Sequence, residues 1–258
     1  MVLLAIVAGL LIGLSLGALG GGGSILTVPV LVYLLAQSPH QATTASLLVV
    51  GLAAIIGALT HARAGRARVK TGLIFGLLGV AGSYTGSLAS AAVPARALLA
   101  GFGVLMLAVA ATMILRRRMT SLSRPPGHPR AGARRVAAVA ATATGVGAVT
   151  GFFGVGGGFV VVPALVLVLG FDMPAAAGTS LIVIAVDSAA ALAARAGHAL
   201  FALDWTLVTT FAAAAVMGTL AGTRVAGRVS PQRLSAAFTV LIILVAGYTV
   251  ARSMPSIA

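Results

Sequence analysis

The stretch Gly17-Ala18-Leu19-Gly20-Gly21-Gly22-Gly23-Ser24-Ile25-Leu26-Thr27-Val28-Pro29 sets a glycine run between two apolar segments. It returns 134 residues later as Gly151-Phe152-Phe153-Gly154-Val155-Gly156-Gly157-Gly158-Phe159-Val160-Val161-Val162-Pro163. At that single shift Gly13, Gly17, Gly20, Gly22, Gly23 and Pro29 land on Gly147, Gly151, Gly154, Gly156, Gly157 and Pro163. Ala45-Ser46 lands on Thr179-Ser180, and Val69-Lys70 on Leu203-Asp204. With small gaps, Arg63-Ala64-Gly65 matches Arg195-Ala196-Gly197, and Pro94-Ala95-Arg96 matches Pro231-Gln232-Arg233. The chain is therefore an internal duplication. Duplicated halves, interrupted by glycine at matching places, are the pattern of membrane transporters.

Composition names the solvent. Of 258 residues, 60% are hydrophobic and only 8% are charged, where an ordinary soluble domain has about 25% charged residues. So few ionisable groups cannot clothe a water-soluble surface. Soluble enzymes, soluble binding modules and disordered chains are excluded, and lipid remains. With no Cys, disulfides, thiolate metal sites and Cys nucleophiles are out. The one lysine, Lys70, follows Val69, so there is no P-loop. Asp172, Asp187 and Asp204 are too few and too scattered for a carboxylate cage. His40, His61, His128 and His198 fall in loops or at span ends, so no metal and no cofactor are expected. The net charge of +14 is carried between apolar runs. That is the positive-inside pattern of a membrane protein rather than a nucleic-acid footprint.

Residues 1–19 are apolar, lack Lys and Arg, and read as a retained membrane helix rather than a signal peptide. The 13 residues 24–36 are too short to cross a core that needs about 20. Residues 37–40 form a polar turn, and 42–60, 71–92 and 97–115 are full spans. Two basic loops, 61–70 and 116–135, are expected in the cytoplasm; the second contains Pro125-Pro126-Gly127 and joins the halves. Residues 1–115 thus form a first membrane repeat, 116–135 a linker, and 136–258 a second repeat. If each broken segment is a re-entrant hairpin, the second half is inverted, with 14 basic residues inside and 3 outside. If each is one span, the halves are parallel and the split is 13 to 4. Segment length favours the hairpin. The expected fold is an all-α polytopic membrane protein of two inverted repeats, each a glycine-broken re-entrant hairpin plus three spanning helices.

Backbone at membrane depth must be bonded internally or line a cavity. A helix starts after each glycine run, and helix N-termini offer bare N–H groups and a positive dipole end. Gly20, Gly22, Gly23 and Ser24 in one half, with Gly154, Gly156, Gly157 and Gly158 in the other, are the candidate anion site. One helix terminus returns about 0.3–1 kcal/mol, up to about 2 when buried, well short of the cost of stripping an ion of water. Hydroxyl donors should therefore converge, and Thr43, Thr44, Ser46, Thr179 and Ser180 are candidates. The alternative is that these hydroxyls bond back to their own helices. Asp187 falls within the span 175–194, where an acid is a functional hypothesis by default. It is the coupling candidate, relaying a proton or pairing with Arg195; Ala53 stands at its place in the first half. Gly13-Leu14-Ser15-Leu16-Gly17 also matches the G-x-S-x-G pattern of an intramembrane serine hydrolase using Ser15. The repeat replaces that serine by Val149 and keeps the glycines, whose four-residue spacing is that of close helix packing.

The segment Gly151 to Pro163, followed by Ala177-Gly178-Thr179-Ser180-Leu181, resembles the TauE/SafE sulfite exporter family, also called the sulfonate uptake permease family. The first half carries the pattern more loosely, with Thr44-Ala45-Ser46 where the family pattern has Gly-Thr-Ser. The resemblance implies an inner-membrane secondary transporter for small sulfur-containing anions such as sulfite or sulfoacetate. A passive anion channel of the same fold is the alternative. The expected partners are the anion, the bilayer and a second copy of the chain, with no nucleic acid.

Overall fold

The computed structural model describes residues 2–90, 93, 95–120, 133–153, 158–194 and 203–253. All regular structure among them is helical. α1 (Val2–Leu19) ends in a tight turn, Gly21–Gly23, and α2 (Ser24–Pro29) runs on as a wider turn, Val30–Leu34. Then follow α3 (Pro39–Arg63), α4 (Val69–Ser90), α5 (Ala95–Thr120), α6 (Ala133–Phe153), α7 (Gly158–Leu167), α8 (Met173–Ala194), α9 (Trp205–Arg228) and α10 (Pro231–Ser253).

Local chemistry explains the boundaries. Pro29 and Pro163 lack the N–H that an α-helix needs, and each short helix widens after its proline. Leu35 N–H bonds to Val30 O at 3.1 Å and Gln37 N–H to Leu31 O at 2.9 Å. The same bonds recur at the 134-residue shift, from Leu169 to Ala164 O (3.4 Å) and from Phe171 to Leu165 O (3.0 Å). The polar turn before α3 is a helix cap. Ser38 Oγ accepts from Gln41 N–H, the Gln41 side chain reaches back to Ser38 N–H, and Pro39 opens the helix. Asp204 caps α9 in the same way, accepting from Leu207 N–H at 3.1 Å.

The ends of the expected linker are helix. α5 continues through Arg116–Arg118 to Thr120, and α6 begins at Ala133. Arg and Met are good helix formers, and no breaker stops α5 before residue 121. Pro125-Pro126-Gly127 lies outside the described residues.

Packing repeats the duplication. α1 lies along α9 and α4 along α6; α3 packs on α8 and α9, α8 also on α4, and α5 on α10. With α1 equivalent to α6, and α4 to α9, the α1–α9 and α4–α6 pairs are one contact made twice. The α3–α8 and α5–α10 pairs join equivalent helices to each other. The halves therefore interlock through matching sets of contacts. α3 and α8 are antiparallel, with Gly51 against Ser188, Gly57 against Leu181 and His61 against Gly178.

The interlocked seams are glycine seams. A Cβ at Gly13 or Gly17 would strike the backbone of Ala215 or Thr219 on α9. One at Gly82 or Gly86 would strike Thr144 or Ala148 on α6, and one at Gly147 would strike Gly79 on α4. Small residues let helix backbones approach closely where the surrounding lipid offers no hydrophobic drive. The glycines flanking Ser15 serve this packing.

Val2–Leu19, Gln41–Arg63, Met173–Ala193 and Trp205–Arg228 are long and apolar enough to cross a bilayer. Leu3, Leu11, Leu77, Val104 and Leu244 point outward with more than 60% of their surface exposed, as a lipid-facing surface requires. At one end of the bundle the Arg66 guanidinium donates to Thr223 O of α9 at 3.3 Å. The α3–α4 loop and the C-terminal end of α9 therefore sit side by side. Arg63, Arg66, Arg68, Lys70, Arg224 and Arg228 gather at that end.

Candidate functional site

Gly20 turns the chain out of α1. Its φ of 74° and ψ of −119° belong to glycine alone, and its N–H closes the helix on Leu16 O at 2.8 Å. A Cβ at Gly20 would meet Ser180 Oγ and Ala177 of α8. One residue on, a Cβ at Gly21 would strike the backbone of Gly158, the first residue of α7. From the other side, a Cβ at Gly158 would lie 2.8 Å from Gly21 Cα, 2.9 Å from Ser24 Oγ and 2.6 Å from Ile184 Cδ1. The two glycine segments thus meet backbone to backbone beside Ile184, halfway along α8. Gly23 packs on Ile12 and Leu16, so after Gly20 the chain doubles back against the end of α1. Gly22 faces Phe238 and Leu241 of α10.

Of the residues singled out in the sequence, Gly20, Ser24, Gly158 and Ser180 come together here, with Gly22 and Gly23 beside them. Gly21 was missed. It falls opposite Val155 at the 134-residue shift, so the repeat gave it no weight, yet it makes the closest approach. Gly154, Gly156, Gly157 and Arg195 lie outside the described residues. Thr44 and Ser46 are buried on α3 but stand elsewhere. In the antiparallel register Ser180 is level with Leu59, 13 residues along α3 from Ser46. At 1.5 Å per residue that is about 20 Å. The two hydroxyl sets flank the glycine contact at different depths.

In this conformation Ser24 Oγ donates to Gly21 O at 2.7 Å and Ser180 Oγ to Ala177 O at 2.8 Å. Both hydroxyls are bonded back to local carbonyls. Thr179 Oγ1 instead accepts the Arg68 N–H at 3.0 Å, and the Arg68 guanidinium lies 4.6 Å above the Phe171 ring, a cation–π contact. With Arg66 O seated against Gly178, the α3–α4 loop clamps the start of α8. Deeper in the bundle, Asp187 Oδ1 is buried and has no hydrogen-bond partner among the described residues. It lies 3.8 Å from where a Gly79 Cβ would stand, with Ala143 O 3.9 Å from the same point. The carboxyl therefore faces the α4–α6 seam.

The family model described as Sulfite exporter TauE/SafE matches residues 5–249. The chain belongs to the TauE/SafE family. A relative in Xylella fastidiosa (strain Temecula1 / ATCC 700964), called a probable membrane transporter protein, is 34% identical over 97% of this chain and 95% of its own length. A Bacillus subtilis (strain 168) relative, called probable membrane transporter protein YunE, is 27% identical over 71% of this chain and 74% of its own. No solved structure matches the chain. It is a multi-pass membrane transporter of the TauE/SafE family.

Proposed function

We propose that this TauE/SafE chain is a secondary transporter that moves a small anion by alternating access between two inverted repeats. The anion is a sulfur oxyanion or organosulfonate such as sulfite or sulfoacetate. The observation that carries this reading is the backbone-to-backbone meeting of Gly21 and Gly158 beside Ile184. The helical turn Gly21–Gly23 leads into α2, and α7 starts at Gly158, so helix starts from both halves converge on one region, where N–H groups can face an anion. The antiparallel α3–α8 register supports inversion. The family's description as a sulfite exporter supports the substrate class.

In this reading, rocking one repeat against the other opens the glycine contact first toward one hydroxyl set and then toward the other. Ser180 and Thr179 serve one side, Ser46 and Thr44 the opposite side. The basic end, with the α3–α4 connection and residues 116–135 that join the halves, faces the cytoplasm of a cell whose inner membrane holds the protein, as the positive-inside rule directs.

Coupling is assigned to Asp187. An unpartnered buried carboxyl oxygen at mid-span favours a proton-coupled carrier over a passive channel. In proteoliposomes an imposed pH gradient should drive sulfite or sulfoacetate above equilibrium. Asp187→Asn should abolish that accumulation and leave downhill exchange. A wild-type protein that only equilibrates the anion, whatever the gradient, would favour the channel.

A further inference from the structure

His61 is the most fully buried ionisable side chain among the described residues, at 0% exposure. It lies near the end of α3 and reaches across to α1, where its Nε2 is 2.9 Å from Gly17 O. A carbonyl can only accept, so Nε2 carries the hydrogen. The last carbonyls of a helix have no donor in their own ladder. Gly20 N–H takes Leu16 O, and His61 takes the next carbonyl, Gly17 O, three residues before the bend at Gly20.

The ring also touches the other wall of the site. A Cβ at Gly178 would come within 2.9 Å of His61 Cβ and 3.1 Å of Cγ. The glycine of Ala177-Gly178-Thr179-Ser180 is therefore the seat of the imidazole. The second ring nitrogen, Nδ1, is buried with no partner among the described residues. A leucine would fill this space without an unpaired ring nitrogen, but it would leave Gly17 O without its donor. Leaving a buried nitrogen unsatisfied is costly, so packing alone does not explain the histidine.

We infer that His61 is a positioning residue. By donating to Gly17 O while resting on Gly178, it fixes the bend at Gly20 against Ser180 and so holds the first glycine segment in its binding geometry. The inference rests on the reading of that segment as part of the anion site.

Two readouts test it. The first needs no substrate: amide hydrogen exchange across residues 17–23 of the purified protein. His61→Leu should exchange roughly tenfold faster there, as expected for one lost buried hydrogen bond. His61→Gln, which can still place an N–H near Gly17 O, should exchange like the wild type. The second is sulfite uptake, in which His61→Leu should raise KM with little change in maximal rate, and His61→Gln should restore it. If His61→Leu does not fold, Gly178→Ala displaces the ring instead and should give the same faster exchange. Unchanged exchange in the leucine and alanine variants, or equal loss with leucine and glutamine, overturns the inference. Faster exchange with an unchanged KM would keep the positioning role and instead overturn the assignment of this segment to the anion site.

Discussion

Gly13 and Gly145 are both helical glycines, and their surroundings differ completely. A Cβ at Gly13 would run into the backbone of Ala215, with Ala215 Cα at 2.9 Å, while one at Gly145 would meet nothing within 4 Å. Gly13→Ala should therefore destabilise the protein by about 1–3 kcal/mol through overpacking. Gly145→Ala should leave stability unchanged or raise it by about 0.5–1 kcal/mol, because alanine loses less backbone freedom. Thermal unfolding in detergent measures both, and the reverse ranking would contradict the α1–α9 seam. Spacing made Gly13 and Gly17 legible in the sequence, since the repeat kept both glycines and discarded the serine between them. His61 was not legible. Its partner Gly17 is 44 residues away, and only the antiparallel meeting of α3 and α8 shows why Gly178 must be small beside it.

Among the elements, α3 carries Thr44, Ser46 and His61, and its start is set by the Ser38 cap. Ser38→Ala should cost about 1 kcal/mol, read as a lower unfolding temperature; no change would mean that the cap contributes nothing against lipid packing. The sequence marked residues 37–40 as a turn but started the span at Ala42, because hydropathy does not register a capping box. The widened turns after Pro29 and Pro163 were also hidden. The prolines were visible as a repeated pair, but a bond to the fifth residue back is a property of geometry. The basic loop was visible as charge alone. Its clamp on α8 is made by the Arg68 N–H on Thr179 and the Arg66 carbonyl against Gly178, and backbone groups carry no sequence signal.

For the whole molecule, the sequence reads as a duplication at one main shift with small gaps, whereas the relative direction of the halves is not readable from it. Loop charge gave 14 to 3 for one arrangement and 13 to 4 for the other, too close to decide. The Arg66 bond to Thr223 O sets the end of α9 beside the α3–α4 loop, which favours inversion. The chain has no cysteine, so single cysteines report sidedness directly. Arg63→Cys and Ser230→Cys should label from the same face of the membrane, and Gln37→Cys and Thr206→Cys from the opposite face. Labelling of positions 63 and 230 from opposite faces would mean parallel halves. The central claim, an anion held where the two glycine segments meet, is tested most directly by the thermal stability of the purified protein against sulfite, thiosulfate, sulfoacetate, taurine, sulfate, lactate and chloride. One sulfur anion should stabilise selectively, by about 2.7 kcal/mol at a hundred times its dissociation constant. That gain should vanish in folded Gly158→Ala, whose Cβ pushes on Gly21. A gain that survives Gly158→Ala unchanged, or no response to any anion, would contradict the account.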